Sequence, residues 1–339
     1  MCTALLLALA GCGGRSGGPP TQRLQRRVVE ARWQPAFEIR SGADDTTFQY
    51  LASVALGVDR VYALDVYAHR ILAFDSVGNR LWTFGRKGDG PGEFRNPQEI
   101  RVDAQGRIWV LDPDAARLSI LDRAGALLRT LPLDRLPGRP DSFLPLGGDS
   151  VVIAISSEPR PFWILDAQGN VLARLAFPGS GFRRIDPFAR QLWLGGAPVT
   201  RNWAAGLALA DGFVTFNGPT QLAHGWYAEA VKPPAVVRHK SDEGGRTVQV
   251  TELAAPPTPA AQALAVTDST VLVLFAGHTE QRSRIIDIFD LRTGAYRATI
   301  RLPWAEASMA SFRNRFAFFS NRPVPDLRVG RLRTLREGS

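Results

Sequence analysis

Cysteine is nearly absent from this 339-residue chain, and the two present, Cys2 and Cys12, both fall within its first dozen residues. No disulfide can staple the body, so its stability has to come from packing. Lysine is scarce as well, occurring only at Lys87, Lys232 and Lys240, so the formal charge of +9 is carried almost wholly by arginine. The basic residues are scattered rather than clustered, which argues against a nucleic-acid surface. No apolar run has the length that a bilayer-spanning helix needs. The four histidines, His69, His224, His239 and His278, show no HxH or HExxH spacing, and there is no GxSxG elbow. Neither a short metal motif nor an elbow serine is signalled, and no catalytic residue, metal ligand or cofactor is expected.

What is present is a repeat. VYALDVYAHRILAFDSVGNRLWTF, Val61–Phe84, is followed 47 residues later by IWVLDPDAARLSILDRAGALLRTL, Ile108–Leu131. Asp65, Arg70, Asp75 and Gly78 recur without a gap as Asp112, Arg117, Asp122 and Gly125. A period of this size built from short strands is the signature of a β-propeller. Within each copy, Arg60–Leu64, Arg70–Phe74 and Arg80–Phe84 read as strands, with the Asp-x-x-Gly segment turning the chain. Tyr50–Ala55 is expected as the inner strand of the first blade and Glu99–Val102 as that of the second. Phe143–Leu146, Val151–Ile155, Phe162–Asp166 and Val171–Phe177 make a third, worn blade, with Ser156 and Pro161 where the Asp and Arg stood. Ile185–Ala254 is irregular: too long for one blade and slightly short for two. Its strand candidates are Gln191–Leu194, Gly206–Ala210, Gly212–Phe216, Val236–His239 and Thr247–Leu253. We expect one blade with an insertion at Thr200–Asn202 or Gly225–Pro234. Ala263–Leu302 is a clear blade, and Phe312–Asn321 with Leu327–Leu335 begin a last one, to be closed by Trp33–Arg40. The fold class is therefore all-β, a six-bladed propeller, or seven-bladed if Ile185–Ala254 splits.

Two resemblances add to this. The pattern GxxGxGPGEFxxPxxIxVDxxGxIWVxDxxxxRLxIxDxxG over Phe84–Gly125 resembles an NHL repeat, which implies a six-bladed propeller. Ala4–Ala10 (ALLLALA) leads into Leu9-Ala10-Gly11-Cys12, which resembles the lipobox of bacterial lipoproteins, although no Lys or Arg precedes the apolar run. That resemblance implies cleavage before Cys12, acylation of its thiol and amino group, and a place in the cell envelope. Gly rather than Asp at position 13 points to the outer membrane, facing the periplasm or the cell surface. Residues 1–11 are then a signal peptide, 12–30 a lipidated tether, flexible over Gly13–Pro20, and 31–339 the propeller.

For function the residues leave two readings open. The Asp65/Arg70 and Asp112/Arg117 pairs are either hairpin-tip ion pairs with Asp capping loop amides, or a ring of charge at one mouth of the channel. Trp203, Trp226 and Tyr227, in the irregular region, are either core or an exposed ligand surface. The glycine-rich Gly85–Phe94 lacks Gly-Lys-Ser/Thr and reads as an inter-blade connection rather than a phosphate cradle. A binding or scaffold module for a protein, peptide or glycan is one outcome, expected as a monomer without nucleic-acid partners. The other is a metal-dependent hydrolase or lyase of gluconolactonase-like or NHL-lyase-like type. That reading would use acids such as Glu99 and Asp103, with Ca or Zn in the axial channel.

The anchor is tested by Cys12→Ser, which should move the protein from the membrane to the soluble fraction; unchanged membrane retention would contradict the lipobox assignment.

Overall fold

The computed structural model describes residues 24–41, 47–197, 201–243 and 246–334; Cys12, the leader and Gly13–Pro20 lie outside them. Among these residues the strands form six blades and one separate two-stranded ribbon. Blade 1 comprises Leu51–Leu56, Val61–Asp65, Arg70–Phe74 and Arg80–Phe84; blade 2 comprises Glu99–Val102, Ile108–Asp112, Arg117–Leu121 and Leu127–Pro132. Blade 3 is Ser142–Gly147, Ser150–Ala154, Phe162–Leu165 and Val171–Leu175, and blade 4 is Leu192–Gly196, Asn202–Leu207, Phe213–Asn217 and Thr220–Gly225. Blade 5 is Ala261–Val266, Thr270–Phe275, Ile285–Asp290 and Tyr296–Arg301. Blade 6 takes Ser308–Phe312, Arg315–Ser320 and Asp326–Thr334 from the C-terminal part of the chain and Ala31–Arg40 from the N-terminal part. That last pairing is antiparallel and runs from Ala31 opposite Thr334 to Arg40 opposite Asp326, so it closes the ring as expected.

The burial pattern follows from this arrangement. Middle strands such as Val61–Asp65 and Ile108–Asp112 are buried at every residue, because a neighbouring blade covers each face of the sheet. Outer strands such as Arg80–Phe84 alternate and are half exposed. Successive side chains point to opposite faces, so each blade feeds two cores. Val61, Ala63 and Leu72 pack with Phe319 and Val329 of blade 6. Tyr62, Leu64 and Ile71 pack with Ile100, Ile108 and Val110 of blade 2. The same division recurs around the ring, giving one apolar cluster at each blade boundary.

The repeated residues are explained by the turns and tips. Asp75 and Asp166 accept amide hydrogens from residues two and four positions on, which lets Gly78 and Gly169 take φ values of 94° and 87°. A Cβ on Gly78 would lie 2.9 Å from Phe37 of the closing strand, so glycine is needed there for space as well as for φ. Asp65 and Asp112 are fully buried. Asp112 accepts from the amides of Arg95 (2.7 Å), Asn96 (3.1 Å) and Ala115 (3.2 Å), while Arg117 donates to the carbonyls of Asp89, Gly90 and Glu93. The glycine-rich segment is thus an inter-blade connection wired from within the protein. Blade 3 reverses the device: Asp141, before the inner strand, accepts from the amide of Ser156, the residue that replaced the repeat's Asp.

Ile185–Ala254 holds one blade and an insertion, as expected: blade 4 and then a ribbon, Val236–Glu243 paired with Arg246–Leu253. Two expectations are corrected. The ribbon strands join no blade, and the expected blade is completed instead by Thr220–Gly225 (TQLAHG), which lacks the alternation of a strand. The insertion is therefore the segment between Gly225 and Ala261; Asn202 belongs to a blade strand. The expected tether also ends early. Val28–Val29 adds a fifth, parallel strand to blade 5, and Arg26 bonds Asp287 at 3.0 Å and Glu229 at 3.3 Å above the Phe275 ring. Residues 24–29 are thus held by specific contacts rather than spacing the fold from an anchor.

Replacing Asp112 by Ala removes a fully buried acceptor from three partly buried amides at once. The cost should be about 3 kcal/mol or more, read as a lower urea midpoint; a loss under about 1 kcal/mol would show that the carboxylate is not holding the blade 1–2 connection.

Candidate functional site

Six innermost strands surround the axis, and on the face where they begin they leave a funnel of about 480 Å³. Each blade places one residue at the head of its innermost strand on the funnel wall: Ala52, Gln98, Asp141, Gln191, Gln262 and Ala307. Gln98, Asp141, Gln191 and Ala307 immediately precede their strands. Ala52 and Gln262 sit at register shifts, between Leu51 and Ser53 and between Ala261 and Ala263, where a bulge turns the extra residue out of the ladder. Blades 2 to 5 thus present a crescent of carboxamides and one carboxyl, while blades 6 and 1 present alanine. The side chains of Gln98, Gln191 and Gln262 make no hydrogen bond within the described residues.

On the alanine side stand two exposed aromatics, Tyr50 (41% exposed) and Tyr67 (66% exposed), stacked with ring centres 4.8 Å apart. The buried Asp65 positions both. It accepts from the amides of Gln49 (2.9 Å) and Tyr50 (3.0 Å) ahead of the inner strand, and the amide of Val66 donates to the Tyr50 carbonyl, clamping the tip that carries Tyr67.

The floor is a charge pair satisfied by the protein. Arg101, on the inner strand of blade 2, reaches past blade 3 and donates to the Leu194 carbonyl of blade 4 at 2.6 Å, while pairing with Glu99. Glu99 also accepts from Ser142 Oγ (2.8 Å) and the Phe143 amide (2.9 Å). Below this bar lies a chamber of only about 40 Å³ walled by Val54, Val102, Pro145, Gly196, Leu264 and Ala310. Gly196 keeps it narrow, since a Cβ there would fall 2.3 Å from Leu144. The funnel is therefore a closed-ended cup for anything larger than water.

Burial raises the Asp141 carboxyl to about 6, against the lowering pull of the Ser156 amide and hydroxyl and of Arg139. Elsewhere burial raises Asp211 to about 7, and raises Glu306 to about 7 despite Arg328 beside it. His224 moves the other way, its imidazolium disfavoured by burial.

The residues singled out from the sequence fall elsewhere. Asp65 and Asp112 are sealed behind backbone amides and cannot meet a ligand; Arg70 bonds the Thr47 carbonyl and Asp65, and Arg117 the loop carbonyls. They shape the mouth without lining it. Trp203 is fully buried, stacked on Phe216 at 4.1 Å with its indole N–H donating to the Gly218 carbonyl. Tyr227 is buried too, its hydroxyl donating to Leu207 O at 3.0 Å, so neither forms an exposed surface. Trp226 is half-buried beside His224 and Gly212, away from the funnel. Asp103 is a turn acceptor for Gln105, Arg107 and the Trp109 indole, whereas Glu99 does reach the funnel. His239 lies on the ribbon near Glu252, and His278 bonds Thr258 on the connection into blade 5. Among the described residues no three His, Cys, Asp or Glu gather as a metal set would require. Tyr50, Tyr67, Arg101 and the crescent carry no motif signal; aligning the residue before each inner strand brings out Gln98, Asp141 and Gln191, while Gln262 emerges only from the bulge at Ala261/Ala263.

Comparison with known proteins agrees with the fold. The domain family DUF5128, described as a 6-bladed beta-propeller, matches residues 42–137. NHL repeat-containing protein 3 of Mus musculus is 42% identical over 43 residues, which are 13% of this chain and 12% of the relative. The chain thus spans about an eighth of that relative's length. Among solved structures, a DUF4221 member from Bacteroides vulgatus superposes with a TM-score of 0.54 at 11% identity, covering 90% of this chain and 99% of that one. A streptogramin B lyase gives 0.51 at 12% identity, covering 88% and 98%. At these identities the likeness is one of fold.

The raised carboxyls carry a signed consequence. Asp211 and Glu306 keep their protons more readily in the fold than in the unfolded chain, so the stability they contribute is complete below about pH 4 and is lost as pH rises through about 7. His224 opposes this within the same window. The variants isolate the effect: the Tm of Asp211→Asn or Glu306→Gln relative to the parent should climb from pH 5 to pH 8, and a flat difference would contradict it.

Proposed function

We propose that the protein is a ligand-binding module of the cell envelope, anchored through an acylated Cys12, that receives a polar ligand segment in the axial funnel. The observation that carries this is the convergence, from four blades, of Gln98, Asp141, Gln191 and Gln262 opposite the exposed Tyr50–Tyr67 stack. A largely preformed concavity in the range of roughly 300–1,000 Å³, with a few aimed polar groups and aromatic surface, suits recognition of small ligands and chain ends. Unpaired amides at its wall are hydrogen-bonding capacity that the fold itself leaves unused. The closed floor means that a ligand docks end-on rather than threading the ring. Protein, peptide and glycan ends all belong to this class.

A hydrolase or lyase reading draws on one observation, the Asp141 carboxyl with its value near neutrality, as a general base requires. Its natural partner on the floor, Glu99, is taken up by Arg101, Ser142 and the Phe143 amide, which leaves Asp141 without a second catalytic group. Binding is therefore the better supported reading.

Arrays of immobilised peptides and oligosaccharides, probed with the full chain in detergent, test it. Retention on at least one class is expected, and Gln262→Trp, which fills the mouth, should abolish it without lowering Tm. Retention untouched by Gln262→Trp, or none on either array, would contradict the proposal.

A further inference from the structure

Resting on that reading, we infer that the ligand is a neutral saccharide, held with a pyranose face against Tyr67 and its hydroxyls against the carboxamide crescent. Three features of the cup favour this chemistry over a peptide or an anionic polymer.

The first is charge. The protein is strongly basic, yet its funnel is not. Arg101 is neutralised by Glu99 and further held by the Leu194 carbonyl, and the remaining ionisable group on the wall, Asp141, is acidic. A phosphate, a uronate or a peptide carboxylate would meet no unpaired cation there and would be repelled by Asp141 above about pH 6. Burying an unpaired charge costs far more than burying a hydroxyl that finds a partner.

The second is the donor–acceptor balance of the crescent. Each carboxamide offers two N–H donors and one carbonyl acceptor from a single planar group, so it can donate to one ligand hydroxyl and accept from the next. Gln98, Gln191 and Gln262 have that capacity free, and Asp141 adds an acceptor between Gln98 and Gln191 in the order of the blades. Adjacent hydroxyls, each both donor and acceptor, fit this set. A site built on hydrogen bonds to hydroxyls also rejects ligands that lack them, because its polar groups are then left unpaired on burial.

The third is the two-sidedness of the cup. Ala52, Ala307, Val66, Tyr50 and Tyr67 give one side its apolar surface, and of the polar residues among them Ser53 accepts from the Ile100 amide and Asn321 bonds the Leu51 backbone. The stack at 4.8 Å leaves Tyr67 the more exposed of the two rings. A pyranose has the matching amphipathy: a C–H face to lie on an aromatic ring and an equatorial belt of hydroxyls for the opposite wall. Because Asp65 clamps both segments that carry the tyrosines, the platform is pre-organised and little ordering entropy is lost on binding.

Isothermal titration of the full chain with neutral oligosaccharides (cello-, malto-, xylo-, manno- and chito-trioses), a sialylated trisaccharide and unstructured hexapeptides decides the matter. At least one neutral triose should bind. Tyr67→Ala should weaken it about tenfold, and Gln191→Ala by a similar factor, with Tm unchanged. Trp226→Ala should leave it as it was. Absence of binding by every neutral triose, or binding indifferent to Tyr67→Ala and Gln191→Ala, overturns the saccharide inference. Peptide binding that Gln262→Trp abolishes would overturn it while leaving the funnel reading intact, and no binding by any probe would remove both.

Discussion

Ring closure is the constraint on which the rest depends. A blade is buried on both faces only while it has a neighbour on each side, and the last blade, which packs against the first, is completed only by the ladder that joins Ala31–Arg40 to Asp326–Thr334. That pairing covers the strand edge of Asp326–Thr334 and completes the cluster in which Phe37 and Ile39 lie against Phe74 and Phe319. It also decides where function can sit. Once the ring is shut, six innermost strands share one axis, and the residues at their heads, far apart along the chain, converge on one funnel.

The same residues serve architecture and site at one remove from each other. Asp65 touches no funnel surface, yet it ties the segment before the inner strand to the tip of the next hairpin, which places Tyr50 against Tyr67. Asp112 does the equivalent in blade 2, fixing the backbone of Arg95 and of Asn96, a residue of the funnel wall. Where blade 3 lacks the Asp in its usual place, Asp141 assumes the tie from the other side, and in doing so lands on the funnel wall as a partly desolvated acid. The worn repeat is thus what introduces a titratable group into an otherwise uncharged crescent.

Much of the fold was legible because propeller blades write themselves locally: a middle strand apolar at every position, an Asp-x-x-Gly turn, then an alternating outer strand. Blades 1, 2, 3 and 5 and the closing strand could be read that way. The fourth blade could not. Thr220–Gly225 (TQLAHG) shows no polar–apolar alternation and has no β-branched residue beyond Thr220, whereas the Val236–Leu253 ribbon has the alternation of a blade edge while pairing with no blade. Only non-local pairing tells the two apart. The site was less legible still. Trp203 suggested a surface because its surroundings were irregular, but its stacking on Phe216 is set by blade 3 residues such as Phe162 arriving from the neighbouring sheet. Nothing beside Gln98, Gln191 or Gln262 marks them, since a glutamine at the start of a strand is unremarkable until the ring brings three of them together.

The central claim is that the axial funnel is where this protein meets its ligand, and the chain supplies its own reporter. It holds two methionines, Met1 in the leader and Met309, a wall residue of both the funnel and the chamber beneath it that packs, 4% exposed, into the apolar cluster between blades 5 and 6. With ¹³C-methyl methionine incorporated, titration of a bound oligosaccharide should shift the Met309 methyl resonance in step with occupancy and saturate with it. A ligand that saturates the protein while the Met309 resonance stays in place would put the site elsewhere and contradict the account.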